Sequence, residues 1–470
     1  MKASLRRDLF SYMRPYLLVS AVSISCLATI MRCSTDESFH ILPGCPVFLI
    51  SIDTLRPDHL SCYGYTRMAT PGIDRLAEDG IRFEAAIAHA PSTLPSHASM
   101  LTSLYPEHHG AYYGRKTRIP FTLPTIATVL SDVGYRTVSY NGGAQIAPEF
   151  GLNAGFDRYV TLGGTPFSVN NDSTFTWIGK NSADSTFFFL HTYEVHYPFT
   201  PRYKYLKELG NTYSGPLPRR IEKPLLMEIN QGKRHVTQSD IRHIIDTYDA
   251  EILSMDDAVN VFIDSLKALG IYDDALIVFT ADHGEEFGEH GMYGWHGHTM
   301  YDELLHVPLI IKLPRSVAAG TVISKQVRSI DIAPTILEIV GSAIPESFEG
   351  KSLVPLIRNV NSFHEAQFTG ISKAQKDMGR HGFIISVRTS DWKLFCREDK
   401  NRITKTELFH LSVDPEEQTN LVRDRPVVVD SLTRIMAAIS RHHPIPRTYS
   451  AFPTAETKRR LKALGYIVTE

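Results

Sequence analysis

Val47-Phe-Leu-Ile-Ser-Ile52 is a nearly continuous apolar run that ends at Asp53. A half-exposed strand alternates polar and apolar side chains, so an unbroken run belongs to a strand covered on both faces, as in a parallel sheet layered by helices. Ile41 to Ile52 therefore reads as a buried strand, the pattern returns at Ala275 to Thr280, and Tyr135 to Tyr140, Thr186 to Leu190 with its three consecutive phenylalanines, and Leu309 to Lys312 read as further strands. Helical stretches lie between: Ile73 to Gly80, Leu123 to Asp132 stopped by Gly134, Ser239 to Leu269, and Ser329 to Val340. Strands alternating with helices predict an α/β fold on one large, mostly parallel sheet flanked by helices. In the longest helix Ile241, Ile244, Ile245, Tyr248, Ile252, Leu253 and Met255 recur near helical spacing and read as core only.

A chain of 470 residues exceeds one small core and predicts a large domain with a smaller one. Lys plus Arg (49) nearly balance Asp plus Glu (51), so no basic surface points to nucleic acid. Five cysteines without metal-ligand spacing argue against a structural zinc site or a disulfide framework. Lys2, Arg6, Arg7 and Arg14 precede an uncharged run, Pro15 to Met31. That is the form of a secretory signal or an uncleaved membrane anchor over residues 1–40, with a periplasmic or cell-envelope destination. Residues 41–370 are the expected catalytic α/β domain. Composition changes after Pro355, and Phe383-Ile-Ile-Ser-Val387, a Thr-Ser-Asp turn and Trp392-Lys-Leu-Phe395 have hairpin grammar. Residues 371–470 are accordingly read as a small antiparallel sheet with a terminal helix. Lys204 to Gln238 is polar and reads as an irregular surface excursion.

Sites in open α/β sheets form at the carboxyl ends of strands, which is where Asp53 falls, though an Asp there equally well caps a helix. Another strand delivers Ala281-Asp282-His283-Gly284, with Gly284 permitting a turn. Glu285, Glu286, His290, His296 and His298 follow in a Gly-rich loop dense in metal-capable groups. His191 and His196, just past a strand end, are candidate anion or metal contacts or ordinary loop histidines. Finally, Ala90-Pro-Ser-Thr-Leu-Pro-Ser-His-Ala-Ser-Met-Leu-Thr102 sets Ser92 and Thr93 before Pro95 and a helical run. A hydroxyl there is either a cap or a group held where unpaired N–H groups and the helix dipole favour a sulfate or phosphate ester.

Together these stretches resemble the sulfatases, within the alkaline phosphatase superfamily, over nearly everything after the amino-terminal segment. The resemblance rests on Ser51-Ile-Asp-Thr-Leu-Arg56 with Cys62-Tyr-Gly64, on Thr93-Leu-Pro-Ser-His97, on Thr280-Ala-Asp-His-Gly284, and on Val307-Pro308 after Tyr301-Asp-Glu. Asp391-Trp-Lys393, Glu407-Leu-Phe409 and Asp414-Pro415 extend it into the tail. It implies an exported, metal-dependent hydrolase of an anionic sulfate or phosphate ester. Family members carry Cys/Ser-x-Pro-x-Arg and convert the first residue to formylglycine; here that position is Thr93 and the Arg position is His97. No formylglycine is expected, and Thr93 is the implied nucleophile, as threonine is in related phosphorus enzymes. The implied metal ligands are Asp53, Asp282 and His283, with Thr93 on the same ion, while the family's second early Asp falls at Thr54. Fewer carboxylates and one imidazole suit Zn²⁺ or Mn²⁺ better than Ca²⁺. His196 or His298 is expected to bind the anion or protonate the leaving oxygen. Two alternatives stand beside this: a phosphodiesterase, phosphonate hydrolase or head-group transferase, and a non-catalytic protein that binds an anionic glycan.

Overall fold

The apolar runs become the centre of an eight-stranded sheet. The computed structural model describes residues 42–112, 117–162, 172–181, 185–359, 370–375, 382–399, 402–441, 449–464 and 466. Its strands are β1 (Val47–Ile52), β2 (Ile81–Ile87), β3 (Arg136–Asn141), β4 (Arg158–Thr161), β5 (Thr186–Thr192), β6 (Leu276–Ala281), β7 (His306–Lys312) and β8 (Thr321–Arg328). They lie in the order β8-β2-β7-β6-β1-β5-β3-β4. Every residue of β1, β5 and β6 is buried, as the unbroken apolar runs require. Phe48 stacks on Phe188 at 4.7 Å and meets Phe262 edge-on at 5.6 Å, which joins β1, β5 and the longest helix in one core.

All neighbouring strands are parallel except β7, which runs antiparallel to β2 and β6. The chain leaving β6 builds a ribbon of Glu286–Phe287 with Tyr293–Trp295 and a short helix, Asp302–Leu305, before β7. No long crossover helix carries it back to the sheet's other end, so it re-enters in the opposite direction.

The helices include α1 (Pro71–Glu78), α2 (Thr93–Thr102), α3 (Ile126–Asp132), α4 (Gln238–Ala268) and α5 (Ile332–Ile339). Helix α4 is continuous over 31 residues, opened by a capping box between Thr237 and Asp240. The stretch read as an irregular excursion contains helices Tyr203–Glu208 and Lys223–Asn230. The second buries Leu226 and Ile229, and the Asn230 side chain clamps the Tyr293 backbone at 2.9 and 3.0 Å, so it supports the Glu286–Trp295 ribbon.

The tail forms an antiparallel sheet of β9 (Gly370–Gln375), β10 (Gly382–Arg388), β11 (Trp392–Asp399) and β12 (Arg402–His410), followed by α6 (Pro426–Arg441) and α7 (Ala455–Ala463). Asp302, just before β7, ties the two sheets by pairing with Arg388 at 2.7 Å and Lys393 at 2.8 Å. Residues Ile41–Glu470 cluster as one unit. The expected signal or anchor, Pro15 to Met31 included, lies outside the described residues. Among the described residues, no helix is long and apolar enough to cross a membrane.

Candidate active site

Ile52, Thr192 and Ala281 sit side by side at the carboxyl ends of β1, β5 and β6. Asp53 and Asp282 therefore leave adjacent strands at one level, both fully buried. Thr54 then turns the chain with φ of 59°, in the left-handed region that a β-branched residue seldom adopts. Its amide donates to Asp282 Oδ1 at 3.3 Å. Tyr248 of α4 holds the turn: its hydroxyl donates to the Thr54 carbonyl at 2.8 Å and accepts from the Arg56 amide at 3.0 Å. Tyr248, read from its spacing as core only, thus also anchors the loop behind Asp53.

Asp282 Oδ1 also accepts the His283 amide at 2.9 Å, which leaves Oδ2 without a hydrogen-bond partner. Asp53 Oδ1 and His283 Nε2 are likewise buried and unpartnered. His283 Nδ1–H donates to the Gly284 carbonyl at 2.8 Å, so Nε2 carries the lone pair and faces the carboxylates, 3.4 Å from Asp282 Oδ2 and 4.0 Å from Asp53 Oδ1. Ligand atoms of Asp53, Asp282 and His283 all lie within 4.8 Å of one another. Burial pushes the Asp53 carboxyl up to about 6, and burial together with the Asp53 charge raises that of Asp282. Three buried, converging atoms with lone pairs and no proton donor fit a divalent cation. Gly284 serves this corner by close approach: its φ lies outside the left-handed region, but an added Cβ would stand 2.0 Å from the Glu303 carbonyl oxygen.

Ser92 occupies the N-cap of α2 in extended backbone but makes no side-chain capping bond. Thr93, the first helical residue, points its hydroxyl elsewhere: Oγ1 donates to Asp53 Oδ2 at 3.2 Å and lies 3.1 Å from the Tyr466 hydroxyl. The capping interpretation therefore fails for both residues. The helix end offers an anion its dipole more than its donors, because Leu94 donates to Gln145 Oε1, Ser96 donates to the Ser92 carbonyl, and Pro95 has no N–H. His97 lies one turn behind Thr93. Its Nδ1 donates to the Thr93 carbonyl at 2.9 Å and stands 3.5 Å from Asp282 Oδ2, while Nε2 meets Ser51 Oγ at 2.9 Å. Burial lowers its pKa to about 4, so it braces α2 against the strand ends as a neutral ring. His191 Nε2 approaches Asp53 Oδ2 at 3.4 Å.

A family model described as Sulfatase matches residues 46–342, and one described as N-sulphoglucosamine sulphohydrolase, C-terminal, matches residues 288–441. The chain belongs to the sulfatase family. It is 22% identical to an N-acetylglucosamine-6-O-sulfatase of Bacteroides thetaiotaomicron over 77% of this chain and 80% of that one. It is 25% identical to the multifunctional alkaline phosphatase superfamily protein PehA of Trinickia caryophylli, over 80% of this chain and 91% of the relative. A structure of the protein BT4656 in complex with its substrate D-glucosamine-2-N,6-O-disulfate superposes with a TM-score of 0.71 at 20% identity, covering 86% of this chain and 99% of that one. The phosphonate monoester hydrolase of Agrobacterium radiobacter gives 0.70 at 19% identity, over 87% and 100%. The fold is that of the alkaline phosphatase superfamily, and the chain is a hydrolase of the sulfuric ester type.

In this sulfatase-family site the geometry brings Asp53, Thr93, His97, Asp282 and His283 into direct contact. His196 joins them through Tyr466: its Nε2 lies 2.8 Å from the phenol, and its Nδ1–H is held by the Tyr197 carbonyl. Burial lowers the His196 pKa to about 3, and with Nδ1–H held its Nε2 accepts from the phenol in this arrangement. His298 faces Glu286 Oε2 at 2.9 Å and not Thr93. Its neighbour His296 reaches the site instead, with its ring 4.6 Å from that of His283 and Nε2 3.5 Å from the Tyr466 hydroxyl. Gln145 and Tyr466 were not foreseen. Gln145 follows the Asn141-Gly-Gly143 turn at a strand's carboxyl end, a position that could have flagged it; Tyr466 carries no such signal.

Proposed function

We propose that this sulfatase-family hydrolase cleaves a sulfate ester, with the unmodified Thr93 hydroxyl as attacking group. The observation that carries this is Thr93 Oγ1, 3.2 Å from Asp53 Oδ2, on the rim of the unpartnered Asp53–Asp282–His283 cluster. Those three residues would hold a divalent cation (Zn²⁺, Mn²⁺ or Ca²⁺), with Thr93 beside it. Such an ion lowers a hydroxyl's pKa and neutralises charge on ester oxygens. Asp53 Oδ2 accepts the Thr93 proton's hydrogen bond and so aims a lone pair away from itself. The dipole of α2 adds positive potential where the ester's charge must sit, and His97 keeps that helix end in place. The sulfated amino sugars named for the relative and for the solved complex support a sulfated glycan or sugar as substrate. A phosphate or phosphonate ester is the second reading, favoured by the imidazole of His283 among the ligands and by threonine at position 93. Threonine is not a formylglycine precursor, so none is expected. We also propose that residues 1–40 direct export and attach or release the chain at the cell envelope.

Thr93→Ala tests the chemistry. It should keep its metal and lose turnover by ~10³-fold or more, as removal of a covalent nucleophile does, and the peptide containing Thr93 should have its unmodified mass. Paired aryl sulfate and aryl phosphate assays decide between the substrates. Near-normal turnover by metal-loaded Thr93→Ala would show that a water attacks instead.

A further inference from the structure

Residues 449–464, with Tyr466 beyond them, run as a strap to the site. Tyr449 and Ser450 pair with Arg118 and Thr117 in a two-stranded ribbon. Thr454 caps α7, and Glu149 Oε1 holds that cap by accepting from the Thr454 amide at 2.9 Å and the Thr457 hydroxyl at 2.8 Å. Arg460 donates to the carbonyls of Gly142 and Leu162, which lie just past β3 and β4. The Tyr466 amide then donates to the Leu461 carbonyl at 2.8 Å, which turns the ring inward. Its hydroxyl ends 3.1 Å from Thr93 Oγ1, 2.8 Å from His196 Nε2 and 3.5 Å from His296 Nε2.

We infer that Tyr466 is a catalytic residue, a neutral hydrogen-bond donor that the strap delivers to the attacking oxygen's side of the ester. The inference rests on the reading of Thr93 as nucleophile. His196 commits its one N–H to the Tyr197 carbonyl, so it accepts the phenol hydrogen. Thr93 directs its own hydrogen to Asp53. The phenol hydrogen is therefore the O–H beside the nucleophile not spent on a ligand carboxylate, and it can swing from His196 to an ester oxygen on which charge builds. Such donors contribute ~10²–10³-fold to turnover elsewhere.

The test is Tyr466→Phe in the full chain, assayed with an aryl sulfate and an aryl phosphate beside Thr93→Ala, with metal content and melting temperature recorded. kcat should fall by ~10²-fold with KM little changed and metal retained. Glu149→Ala, which loosens the strap far from the reacting atoms, should lower kcat in the same direction by less, and it carries the test if Tyr466→Phe melts early. An unchanged kcat in both variants makes the phenol a spectator and overturns the inference. A raised kcat/KM makes it a plug and overturns it equally. Thr93→Ala inactive with Tyr466→Phe normal sinks this inference alone, whereas an active Thr93→Ala sinks the nucleophile reading.

Discussion

Asp53→Asn should make the metal-free protein more stable and the metal-loaded protein less so. Burial holds the Asp53 carboxyl at about 6, against about 3.9 in an unfolded chain. Because the folded value is the higher one, the native state keeps a proton between about pH 4 and 6 that the unfolded state releases. Stability therefore falls as pH rises through that window, and above it the full cost is about 3 kcal/mol. Asparagine removes the charge and retains an oxygen for the Thr93 hydroxyl, but it buries an amide N–H₂ that needs a partner. A net gain of about 1–3 kcal/mol is expected at pH 7.5 in chelator. For a chain of this size that is a Tm rise of roughly 1–3 °C. A cation at a thousandfold excess over its Kd adds about 4.1 kcal/mol to the wild type and little to the variant, so the order of melting should reverse. Scanning calorimetry with EDTA, and then with Mn²⁺, Zn²⁺ or Ca²⁺ in turn, reads both signs. If Asp53→Asn melts below the wild type in EDTA as well, the carboxylate is not held in waiting for a cation.

Tyr248→Phe leaves the Thr54 carbonyl and the Arg56 amide without their shared partner. It should cost about 2–4 kcal/mol and weaken metal binding several-fold, and an unchanged Tm with unchanged metal affinity would dismiss the clamp. For His290, burial pulls the imidazole down, but the 2.6 Å hydrogen bond to Glu303 and its charge outweigh this and leave the pKa raised. Its contribution is then complete below the unfolded pKa of about 6.5 and is lost as pH climbs through the folded value. The Tm gap between wild type and His290→Gln should narrow on the alkaline side, and a gap constant with pH would refute the ion pair. Expressed with residues 1–40, the chain should leave the cytoplasm or partition with membranes, and without them it should be soluble and active; equal cytosolic solubility of both forms without processing would count against export.

Much of this candidate site was legible because its two carboxylates stand at strand ends. An unbroken apolar run followed by Asp says both that the strand is buried and where it stops, and two such runs in register put Asp53 beside Asp282. The direction of β7 was not legible, since a strand's sequence does not record how the preceding chain returned to the sheet. Tyr248 misled because a buried tyrosine at core spacing is apolar along its ring and polar only at its tip, and the pattern sees the ring. Tyr466 was out of reach for another reason. Its contact with Thr93 spans 373 positions and depends on a cap at Thr454, a ribbon at Tyr449 and an arginine on two loop carbonyls, none of which leaves a periodic trace.

Charge gives a reason for pairing Thr93 with His97. His97 Nδ1 lies 3.5 Å from Asp282 Oδ2, so an arginine in that place would bring a permanent positive charge against that carboxylate and compete with any cation for it. A buried, neutral imidazole gives the helix its brace through Ser51 and the Thr93 carbonyl and leaves the negative charge of Asp282 unspent. His191 and His196, also held neutral by burial, treat Asp53 and the phenol the same way. Positive charge is thus absent from the hydrogen-bond partners of Asp53, Asp282 and Thr93 among the described residues. An anionic ester entering beside two carboxylates needs it from one place, the gap enclosed by Asp53 Oδ1, Asp282 Oδ2 and His283 Nε2. Threonine suits that arrangement: its β-branch restricts χ1, and its single oxygen is already aimed at Asp53, at the edge of the gap.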